Sequence, residues 1–446
     1  MSDQHSPRMA EMMRGWRVLL SSFLGVACGA SPIPIYTIGV FAVPLSETFG
    51  WGRGDVMLAT LPFTLGVIVI VPLIGALADR IGVKPVAMGA LVGLSLSFSA
   101  LALTPNSLWA FYGLWLLVGL LGAGSTPVTW TRAIVAWFFM SRGMALALIL
   151  IGTGVAGFIL PIYTAWLIET FGWRQAFVGV GLLPVAIALP VAWLLFQESP
   201  RSAAVAAKAR ATRSSVSASE SPSTSASASA GQLDDGAPPP PVQDGLSLRE
   251  AMRGYRFWVL AFVILLVTLQ TGGAITNLFP LLQDRGFAAG EAATIAGTIG
   301  ISIIIGRLMT GYLIDRFWAP GVALPLLALP AIACLVLVMP DIPRPLAFAA
   351  AFMIGLAAGA ETDVIPYVTA RYFGLKHYGR IYGVFYAVFG VAGGISPFIF
   401  GRVFDVTGSY NIVLYASAVM VVVGAVLLLS MGRYPTRFTV VETARQ

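Results

Sequence analysis

The chain alternates between long apolar runs and short polar interruptions, and the apolar runs are about as long as a bilayer is thick. A helix needs roughly 20 apolar residues to cross about 30 Å of hydrocarbon. Runs of this kind are predicted at 16–45, 55–78, 84–104, 107–137, 143–167 and 175–196, and again at 256–282, 292–313, 319–339, 346–373, 381–404 and 411–431. A segment in lipid must satisfy its own backbone hydrogen bonds, so the pattern predicts an all-α membrane protein with twelve transmembrane helices.

A polar stretch divides the runs into two sets of six. Residues 201–245 are rich in Ser, Ala and Pro, and they lack the recurring large apolar side chains that a core requires. The following stretch, LSLREAMRGYRFW at 246–258, has the pattern of a short amphipathic helix leading into the seventh run. The predicted organisation is a cytoplasmic tail (1–15), a six-helix bundle (16–197), a disordered cytoplasmic linker (198–250), a second six-helix bundle (251–431) and a cytoplasmic tail (432–446).

Basic residues are distributed unevenly between the two ends of the predicted helices. With the N-terminus placed inside, the tails, the linker and alternate loops carry 20 of the 27 Lys and Arg residues. Lys and Arg are enriched in the cytoplasmic loops of membrane proteins. We therefore predict a multi-pass protein of the plasma (inner) membrane with both termini in the cytoplasm.

Two short motifs indicate that the second set of helices repeats the first. GALADR at 75–80 and GYLIDR at 311–316 each end an apolar run, and they lie 236 residues apart. At this offset eight of the 21 glycines between residues 15 and 172 fall on glycine, where chance predicts about two. Two bundles in the same orientation are related by an axis along the membrane normal. The recurring residues are Gly75, Asp79, Arg80, Gly311, Asp315 and Arg316.

We interpret this motif as a tight loop that helps to control conformation. The glycine lets the helix end approach a neighbour closely, the Asp pairs locally, and the Arg holds helix ends of the opposite half. The alternative is a solvated basic loop, which accounts for the Arg but leaves the repeated Gly and Asp without a role.

The composition agrees with a membrane protein and narrows the possible functions. Apolar residues make up 57% of the chain and charged residues 11%, against about 45–50% and 25% in soluble domains. The net charge of +7 is dispersed, without the basic stripe that binds nucleic acids. Cys28 and Cys334 lie in apolar runs, and with two histidines in the chain no metal site or cofactor is predicted. The sequence contains no catalytic or phosphate-binding motif, so an enzyme is not expected.

The loop GALADRIGVKP at 75–85 resembles the signature loop of the major facilitator superfamily. The second copy keeps Gly311, Asp315 and Arg316 but has Trp318 in place of a glycine. With twelve spans and a long central loop, the resemblance covers nearly the whole chain. It implies two six-helix bundles that rock around a central cavity and open it alternately to each side of the membrane.

Three stretches are similar to the monocarboxylate transporters and the oxalate/formate antiporter group: YTIGVFAVPLSETFGW (36–51), GRLMTGYLIDR (306–316) and AETDVIPYVTARYFGLKHYGRIYG (360–383). In that group an Arg in the eighth helix binds the substrate carboxylate, and Arg307 occupies its place. The animal members carry an Asp where this chain has Ile303 and a Lys where it has Tyr36. The resemblance therefore implies carboxylate binding by Arg307 without the proton relay of the animal transporters.

Two arginines lie inside predicted helices, where a charge costs on the order of 2.5–3.5 kcal/mol on insertion scales. Arg307 precedes Asp315 by eight residues, which places it roughly 12 Å from the helix end at 1.5 Å per residue. We interpret it as a carboxylate-binding residue, with a structural ion pair as the alternative. Arg132, which is shallower in the fourth helix, either contacts the substrate or anchors the helix end.

Glu361 and Asp363 are the deepest acidic residues, and Glu361 lies about 15 Å up the tenth helix from Arg371. At positions i and i+2 they point about 200° apart, so at most one is expected to face the cavity. Because the fourth and tenth helices face each other in this fold, a Glu361–Arg132 bridge is one way to close the cytoplasmic gate. An acid here could instead carry a coupling proton or belong to a static ion pair, and the sequence leaves all three roles open.

Polar residues near a helix break are the remaining candidates for substrate binding. Gln270 and Asn277 flank Gly272-Gly273 in the seventh helix, and SPIPIY at 31–36 is the equivalent stretch of the first. Both copies are predicted to be locally broken and to offer polar groups to a substrate, with a packing kink as the alternative. Tyrosines that either line the cavity or pack between helices are Tyr36, Tyr163, Tyr367, Tyr382 and Tyr386.

These features predict a secondary active transporter that moves a small organic anion, a mono- or dicarboxylate, by proton symport or anion exchange. Its partners are the anion, protons and the lipid bilayer, with no nucleic acid and no oligomeric state assigned. The alternative is proton-coupled efflux of a hydrophobic or amphipathic compound, although GTGVAGFILP at 152–161 lacks the Gly-Pro signature of drug/proton antiporters. A transporter-like sensor or an intramembrane enzyme is the alternative from another class.

Overall fold

The computed structural model describes residues 7–138, 141–197 and 245–435. Within these residues, twelve helices are long and apolar enough to cross a membrane. Spans 1 to 6 are Trp16–Phe49, Arg53–Ala78, Val83–Leu103, Leu108–Trp137, Arg142–Phe171 and Trp173–Leu195, and spans 7 to 12 are Tyr255–Asp284, Ala289–Ile314, Ala319–Val338, Arg344–Phe373, Tyr378–Thr407 and Asn411–Leu429. The bounds lie within a few residues of the predicted runs, and the predicted fold class is confirmed.

The helix bounds reproduce the internal repeat. Adding 236 to the bounds of span 4, Leu108–Trp137, gives 344–373, which are the bounds of span 10. The same operation on span 5, Arg142–Phe171, gives 378–407, the bounds of span 11. Each half of the chain therefore folds into a bundle with the same helix order.

Most helices of the first half are interrupted or change helix type, with span 5 as the exception, whereas those of the second half are continuous. Span 1 consists of Trp16–Ala27 and Pro32–Phe49, and span 4 of Leu108–Gly122 and Pro127–Trp137 joined by a 3₁₀ turn. In both spans a proline starts the second piece, where its missing N–H costs no helical hydrogen bond. Span 2 is likewise divided into Arg53–Met57 and Thr60–Ile81, span 3 ends in a 3₁₀ turn, and span 6 contains a π-helical turn at Pro184–Ala188.

The predicted break in span 7 is wrong, because one helix runs unbroken from Tyr255 to Asp284. Gly272 and Gly273 are helical, and each faces span 11 at close range. A methyl group at Gly272 would lie 3.4 Å from Cα of Gly393, and one at Gly273 would overlap the ring of Phe400. These glycines therefore serve helix packing and do not mark a kink.

Each half has its own apolar core, and the two halves also pack against each other. Trp115 and Phe98 are fully buried in the first half, and Phe257 and Phe373 in the second. A further core of the second half includes Val40 and Ala165 of the first, so the halves share one apolar contact. We call the end of the molecule that holds Leu195 and Tyr255 the linker end, and the opposite end, with Phe49 and Asp284, the far end.

The second half is preceded by a short helix, Leu248–Arg253, as the amphipathic pattern at 246–258 suggested. Ser247 and Glu250 form a reciprocal capping box, and the Ser247 N–H lowers the pKa of the Glu250 carboxyl from its usual value. The Leu246 N–H donates to the carbonyl of Phe373 at 2.9 Å, which ties this segment to the end of span 10. Residues 198–244 of the predicted linker and the outermost tails lie outside the described residues, so the domain bounds stay a prediction.

Candidate substrate site between the two halves

Spans 5 and 8 bring the two halves together near the middle of the bundle, at glycines. A methyl group at Gly154 would lie 2.6 Å from the carbonyl oxygen of Gly300, and one at Gly157 would lie 3.0 Å from Cα of Gly300. On span 8, a methyl group at Gly297 would lie 2.7 Å from the carbonyl oxygen of Phe158. The two backbones thus touch directly, as small residues allow between transmembrane helices. We call this contact the crossing.

At the far end the start of span 2 packs on span 11. A methyl group at Gly401 would lie 2.7 Å from the backbone nitrogen of Gly54, so these backbones also touch. About two turns deeper, the Thr60 hydroxyl donates to the carbonyl oxygen of Gly394 at 2.7 Å. The far end is therefore closed by direct contact between the halves.

Charged groups reinforce this closure. Arg53 of the first half forms a two-pronged ion pair with Asp284 of the second, with Nη2 2.7 Å from Oδ1. The carboxylate of Asp405, on span 11, accepts hydrogen bonds from the backbone N–H groups of Arg53 and Gly54, both at 2.8 Å. Backbone N–H groups at a helix start favour a negative charge, so Asp405 caps the start of span 2 from the other half.

At the linker end the same spans are apart. Methyl groups added at Gly75 of span 2, Gly143 of span 5, Gly311 of span 8 or Gly383 of span 11 would meet no atom within 4 Å. The space between the halves thus opens towards the linker end. We call this space, lined by Tyr36, Arg307, Asp363, Tyr382 and Tyr386, the central cleft.

Arg307 lies on span 8 one turn beyond the crossing, towards the linker end. Ile304, three residues earlier and on the same helix face, still contacts Gly154 of span 5. Tyr36 of span 1 and Asp363 of span 10 lie within electrostatic range of the guanidinium group. Among the described residues Arg307 makes no hydrogen bond or ion pair, and its buried Nε has no partner. The side chain of this cation is thus not held by any described residue.

Asp363 stands beside Arg307 on the neighbouring span 10. These spans pack closely at Gly359, where a methyl group would lie 3.0 Å from the backbone nitrogen of Arg307. Asp363 follows one helical turn later on the same face. Its carboxylate forms no hydrogen bond or ion pair with any residue that the structure describes. Two opposite charges without a fixed partner therefore line the cleft.

Glu361 points away from the cleft into the second half, where it is 3% exposed. The hydroxyls of Thr268 and Thr271, both on span 7, bond to its two carboxylate oxygens, the second at 2.9 Å. The predicted contact between Glu361 and Arg132 is not formed in this conformation, because span 7 of the same half takes up the carboxylate. Its role as a gate, a proton site or a static group stays a prediction.

Arg132 is exposed on span 4 and bonds within its own half. Its Nη1 donates to the carbonyl oxygen of Gly75 at 3.1 Å. This contact links span 4 to the GALADR loop at the end of span 2. The structure therefore places Arg132 beside the loop motif and away from Arg307, which agrees with the alternative of helix-end anchoring.

Gln270 and Asn277 are both buried inside the second half, away from the cleft. Gln270 packs with its Nε2 3.9 Å from the sulfur of Cys334 on span 9. Asn277 Nδ2 donates to the carbonyl of Gly273 at 3.0 Å and to that of Pro397 on span 11 at 3.3 Å. Because span 7 is one continuous helix, these positions face spans 9 and 11. The structure does not bring them together with Tyr36 and Arg307.

The two copies of the loop motif differ in conformation. Gly82 ends span 2 with φ of 98°, a value that favours glycine, whereas Trp318 at the equivalent place has φ of −65°. Arg316 stacks on Tyr312 of its own helix, with Cζ 3.8 Å from the ring centroid, and Arg80 makes no hydrogen bond or ion pair among the described residues. Neither Arg holds the opposite half here, and the Asp79 side chain lies outside the described part.

Comparisons with known proteins agree with this architecture. The family model described as Major Facilitator Superfamily matches residues 19–360. The chain is 29% identical to a gallate transporter of Pseudomonas putida, over 68% of this chain and 66% of that protein. It is 26% identical to monocarboxylate transporter 13 of Bos taurus, over 94% of this chain and 88% of that protein.

A solved structure shows the same fold. It is a bacterial homologue of the human lysosomal transporter Spinster, which is 19% identical to this chain. The two superimpose with a TM-score of 0.63, and the match covers 96% of each chain.

Proposed function

Because the chain belongs to the major facilitator superfamily and is a membrane transporter, we propose that it carries a small organic carboxylate, which Arg307 binds in the central cleft. In this proposal the linker end faces the cytoplasm across the plasma membrane. The cleft then opens to the cytoplasm in this conformation.

The observation that carries the proposal is Arg307, whose buried Nε has no hydrogen-bond partner among the described residues. A charged residue within a span costs on the order of 2.5–3.5 kcal/mol on insertion scales, and such residues mark substrate pathways. A carboxylate forms two parallel hydrogen bonds with a guanidinium group. Binding of a carboxylate therefore supplies the partner that Arg307 lacks among the described residues.

The names of the relatives point to the same chemical class. Gallate, named for the Pseudomonas putida relative, is an aromatic carboxylate, and the Bos taurus relative is named a monocarboxylate transporter. The match to the monocarboxylate transporter covers 94% of this chain and so includes the segment that contains Arg307. The shared element between the named cargoes is one carboxylate group.

Alternating access requires the far end to open and the linker end to close. Opening the far end breaks the Arg53–Asp284 ion pair and the two hydrogen bonds to Asp405. Tyr36 belongs to the first half, whereas Arg307 belongs to the second. A substrate held between them therefore interacts with both halves and favours the state in which the linker end closes around it.

The surroundings of Glu361 support proton symport. The Thr271 hydroxyl lies 2.9 Å from Glu361 Oε2 and 3.0 Å from the carbonyl oxygen of Val267, and it has one hydrogen to give. When Glu361 is ionised, Thr271 donates to it. When Glu361 is protonated, the carboxyl donates to Thr271, which then donates to Val267. Both protonation states are satisfied, and anion exchange is the alternative source of driving force.

One feature favours the alternative of efflux of a hydrophobic or amphipathic compound. Beyond Tyr36 the cleft narrows into a small space between spans 1, 5, 7 and 8. Its lining is mostly apolar and includes Val40, Pro161, Ile275 and Phe279. A compound without a charge would fit this lining better than a carboxylate.

Counterflow in proteoliposomes distinguishes the two functions. Vesicles are loaded with unlabelled carboxylates or with neutral or cationic compounds of similar size, and uptake of the labelled compound is followed with and without a pH gradient. Stimulation by carboxylates supports the proposal, and its dependence on the pH gradient separates symport from exchange. Stimulation by neutral or cationic compounds alone overturns the proposal and supports efflux.

A further inference from the structure

Span 11 carries a row of aromatic side chains along one face at its linker end. The rings of Tyr378 and Tyr382 are stacked with centroids 5.4 Å apart, and the ring of Tyr386 follows 6.1 Å from that of Tyr382. Phe389 continues the row, 6.1 Å from Tyr386. We call these four residues the aromatic row.

At Tyr386 the aromatic row faces the first half across the central cleft, whereas Tyr382 and Phe389 also pack against the apolar core of the second half. Tyr386, Gly390 and Gly394 are spaced by four residues and so share a helix face. A methyl group at Gly390 or Gly394 would lie 3.2 Å from Ile68 or 3.1 Å from Thr64, both on span 2 of the other half. Tyr386 continues this face towards the linker end, beyond the contacts of Gly390 and Gly394 with span 2. There Tyr386 is 49% exposed.

The row also lies beside the charged pair of the cleft. Tyr382 is within electrostatic range of Asp363, and Asp363 is within range of Arg307. The hydroxyls of Tyr378, Tyr382 and Tyr386 make no hydrogen bond with any residue that the structure describes. The row, Asp363 and Arg307 are thus neighbours on spans 11, 10 and 8.

From this juxtaposition we propose that the aromatic row binds an aromatic ring, so that the carboxylate carried is an aromatic one. The carboxylate is held by Arg307, and the ring lies against Tyr382 and Tyr386. This inference rests on the proposed function, and it specifies the chemical nature of the part of the substrate that Arg307 does not contact.

Physical considerations favour a ring over an alkyl chain at this place. Offset-stacked and edge-to-face aromatic pairs are more favourable than their buried area alone implies. Tyrosines add a polar edge, and their unused hydroxyls suit a ring that bears polar substituents. Stacking within the row itself uses neighbours along the helix, which leaves the cleft side of Tyr386 open.

The test compares two carboxylates that differ in the ring. Uptake of labelled benzoate and of labelled cyclohexanecarboxylate, which has a ring of similar size without a π face, is measured in the same proteoliposomes. We expect KM for benzoate to be about 2- to 10-fold lower, as one aromatic pair allows. The ratio of the two values does not depend on how much protein is reconstituted.

Variants then assign the preference to the row. Tyr386→Leu and Tyr382→Leu are expected to raise KM for benzoate by about 2- to 10-fold and to leave KM for cyclohexanecarboxylate within about 2-fold, whereas Tyr386→Phe keeps the preference for benzoate. Tyr415→Leu is the matched control, because Tyr415 is 53% exposed on span 12 and is not part of the row.

The outcomes separate this inference from the proposed function. If both carboxylates are carried with equal KM, or if the leucine variants change both equally, the aromatic row does not bind the substrate and the proposed function stands. If neither carboxylate is carried while neutral compounds are, both fail. A benzoate preference that Tyr386→Leu removes and Tyr415→Leu keeps establishes the row as the ring site.

Discussion

Spans 2 and 11 run through both the far end and the linker end of the interface, yet they contact each other differently at the two ends. At the far end Gly54 and Gly401 touch through their backbones, and Asp405 and Asp284 bind groups of the opposite half. At the linker end the corresponding glycines, such as Gly75 and Gly311, face open space. We call Arg53, Asp284 and Asp405, whose polar contacts close the far end, the polar lock. The linker end has no such contact among the described residues and gives access to Arg307.

The far end and the crossing differ in the kind of contact that joins the two halves. The far end depends on a few directional groups, which must all be aligned before the halves meet. The crossing of spans 5 and 8 lies between the ends and stays in backbone contact. A rigid contact of this kind lets a small rotation open one end as it closes the other. Substitutions can test this difference, and those that block a closure outright should have the strongest consequences.

The most severe loss is expected from filling the glycine contacts. Gly401→Leu should prevent closure of the far end, because a methyl group there already lies 2.7 Å from the nitrogen of Gly54. Gly311→Leu should instead prevent closure of the linker end. Both variants should lose counterflow completely. Gly113→Leu, a filling of open space outside the interface, should retain it.

Accessibility of a cysteine shows which end each variant holds open. The reporter is Thr64→Cys in a chain with Cys28→Ser and Cys334→Ser, labelled from the far side with an impermeant maleimide. Labelling should be faster in Gly401→Leu and slower in Gly311→Leu than in the parent chain. Equal labelling in both variants would contradict the assignment of the closed and open ends.

Arg307→Gln should reduce carboxylate uptake by roughly 30-fold or more, because removing one partner of a buried charged pair costs about 2–5 kcal/mol. The amount of protein in the membrane should not change. The measurement is the initial rate of uptake in proteoliposomes, with Arg380→Gln, an exposed arginine at the linker end, as the control. Wild-type flux in Arg307→Gln would refute the binding role.

Glu361→Gln should remove accumulation driven by a pH gradient and retain exchange, because glutamine mimics the protonated carboxyl. One pH unit corresponds to about 1.36 kcal/mol, so the accumulation ratio should fall from at most about 10 to about 1. The measurement compares accumulation and counterflow in the same vesicles. Accumulation that survives in the variant would exclude a coupling proton on Glu361.

The mildest change is expected at the polar lock of the far end. Asp405→Asn keeps one acceptor oxygen, but it loses the charge and replaces the other oxygen, which accepts the second backbone N–H, with an NH2 group. A loss of about 1 kcal/mol would increase labelling of Thr64→Cys from the far side about 5-fold. Asp341→Asn, an exposed acid at the far end, should leave labelling unchanged. No difference between the two variants would show that Asp405 does not stabilise the closed state.

The sequence predicted the spans, the repeat and the family, and these predictions are confirmed. They follow from a strong physical constraint, since a helix in lipid must be long and apolar whatever its neighbours are. The match between Leu108–Trp137 and Arg344–Phe373 at a fixed offset shows how closely the repeat preserves helix length. The similarity to monocarboxylate transporters, inferred from the motifs around Arg307, is also confirmed.

Side-chain direction was much less predictable. Gln270, Asn277 and Glu361 were grouped with the cavity because they are polar residues in apolar helices, and all three face the interior of the second half. Which face of a helix meets a neighbour depends on how both bundles pack, and a single helix pattern does not contain that information. At position 125, the equivalent of Glu361, the first half has Ser125, whose hydroxyl accepts the Ala30 N–H at 3.0 Å. The repeat preserves a bond between two helices while the chemistry of that bond changes.

The polar lock was missed for a related reason. Arg53, Asp284 and Asp405 lie in or beside short loops that are far apart in sequence, and each alone has the appearance of a solvated helix end. The feature that predicts their contacts is that opposite charges lie at the same depth in the membrane on opposite halves of the protein. That feature becomes visible once the orientation of every span is known.

The segment before span 7 has a consequence for how the protein can be divided. Its helix, Leu248–Arg253, is capped by its own residues, and Leu246 bonds back to Phe373 within the second half. Among the described residues, the start of the second bundle therefore takes these backbone partners from the second half itself. Two separate genes, encoding residues 1–197 and 245–446, should yield polypeptides that fold independently and join at the glycine crossing into a working transporter.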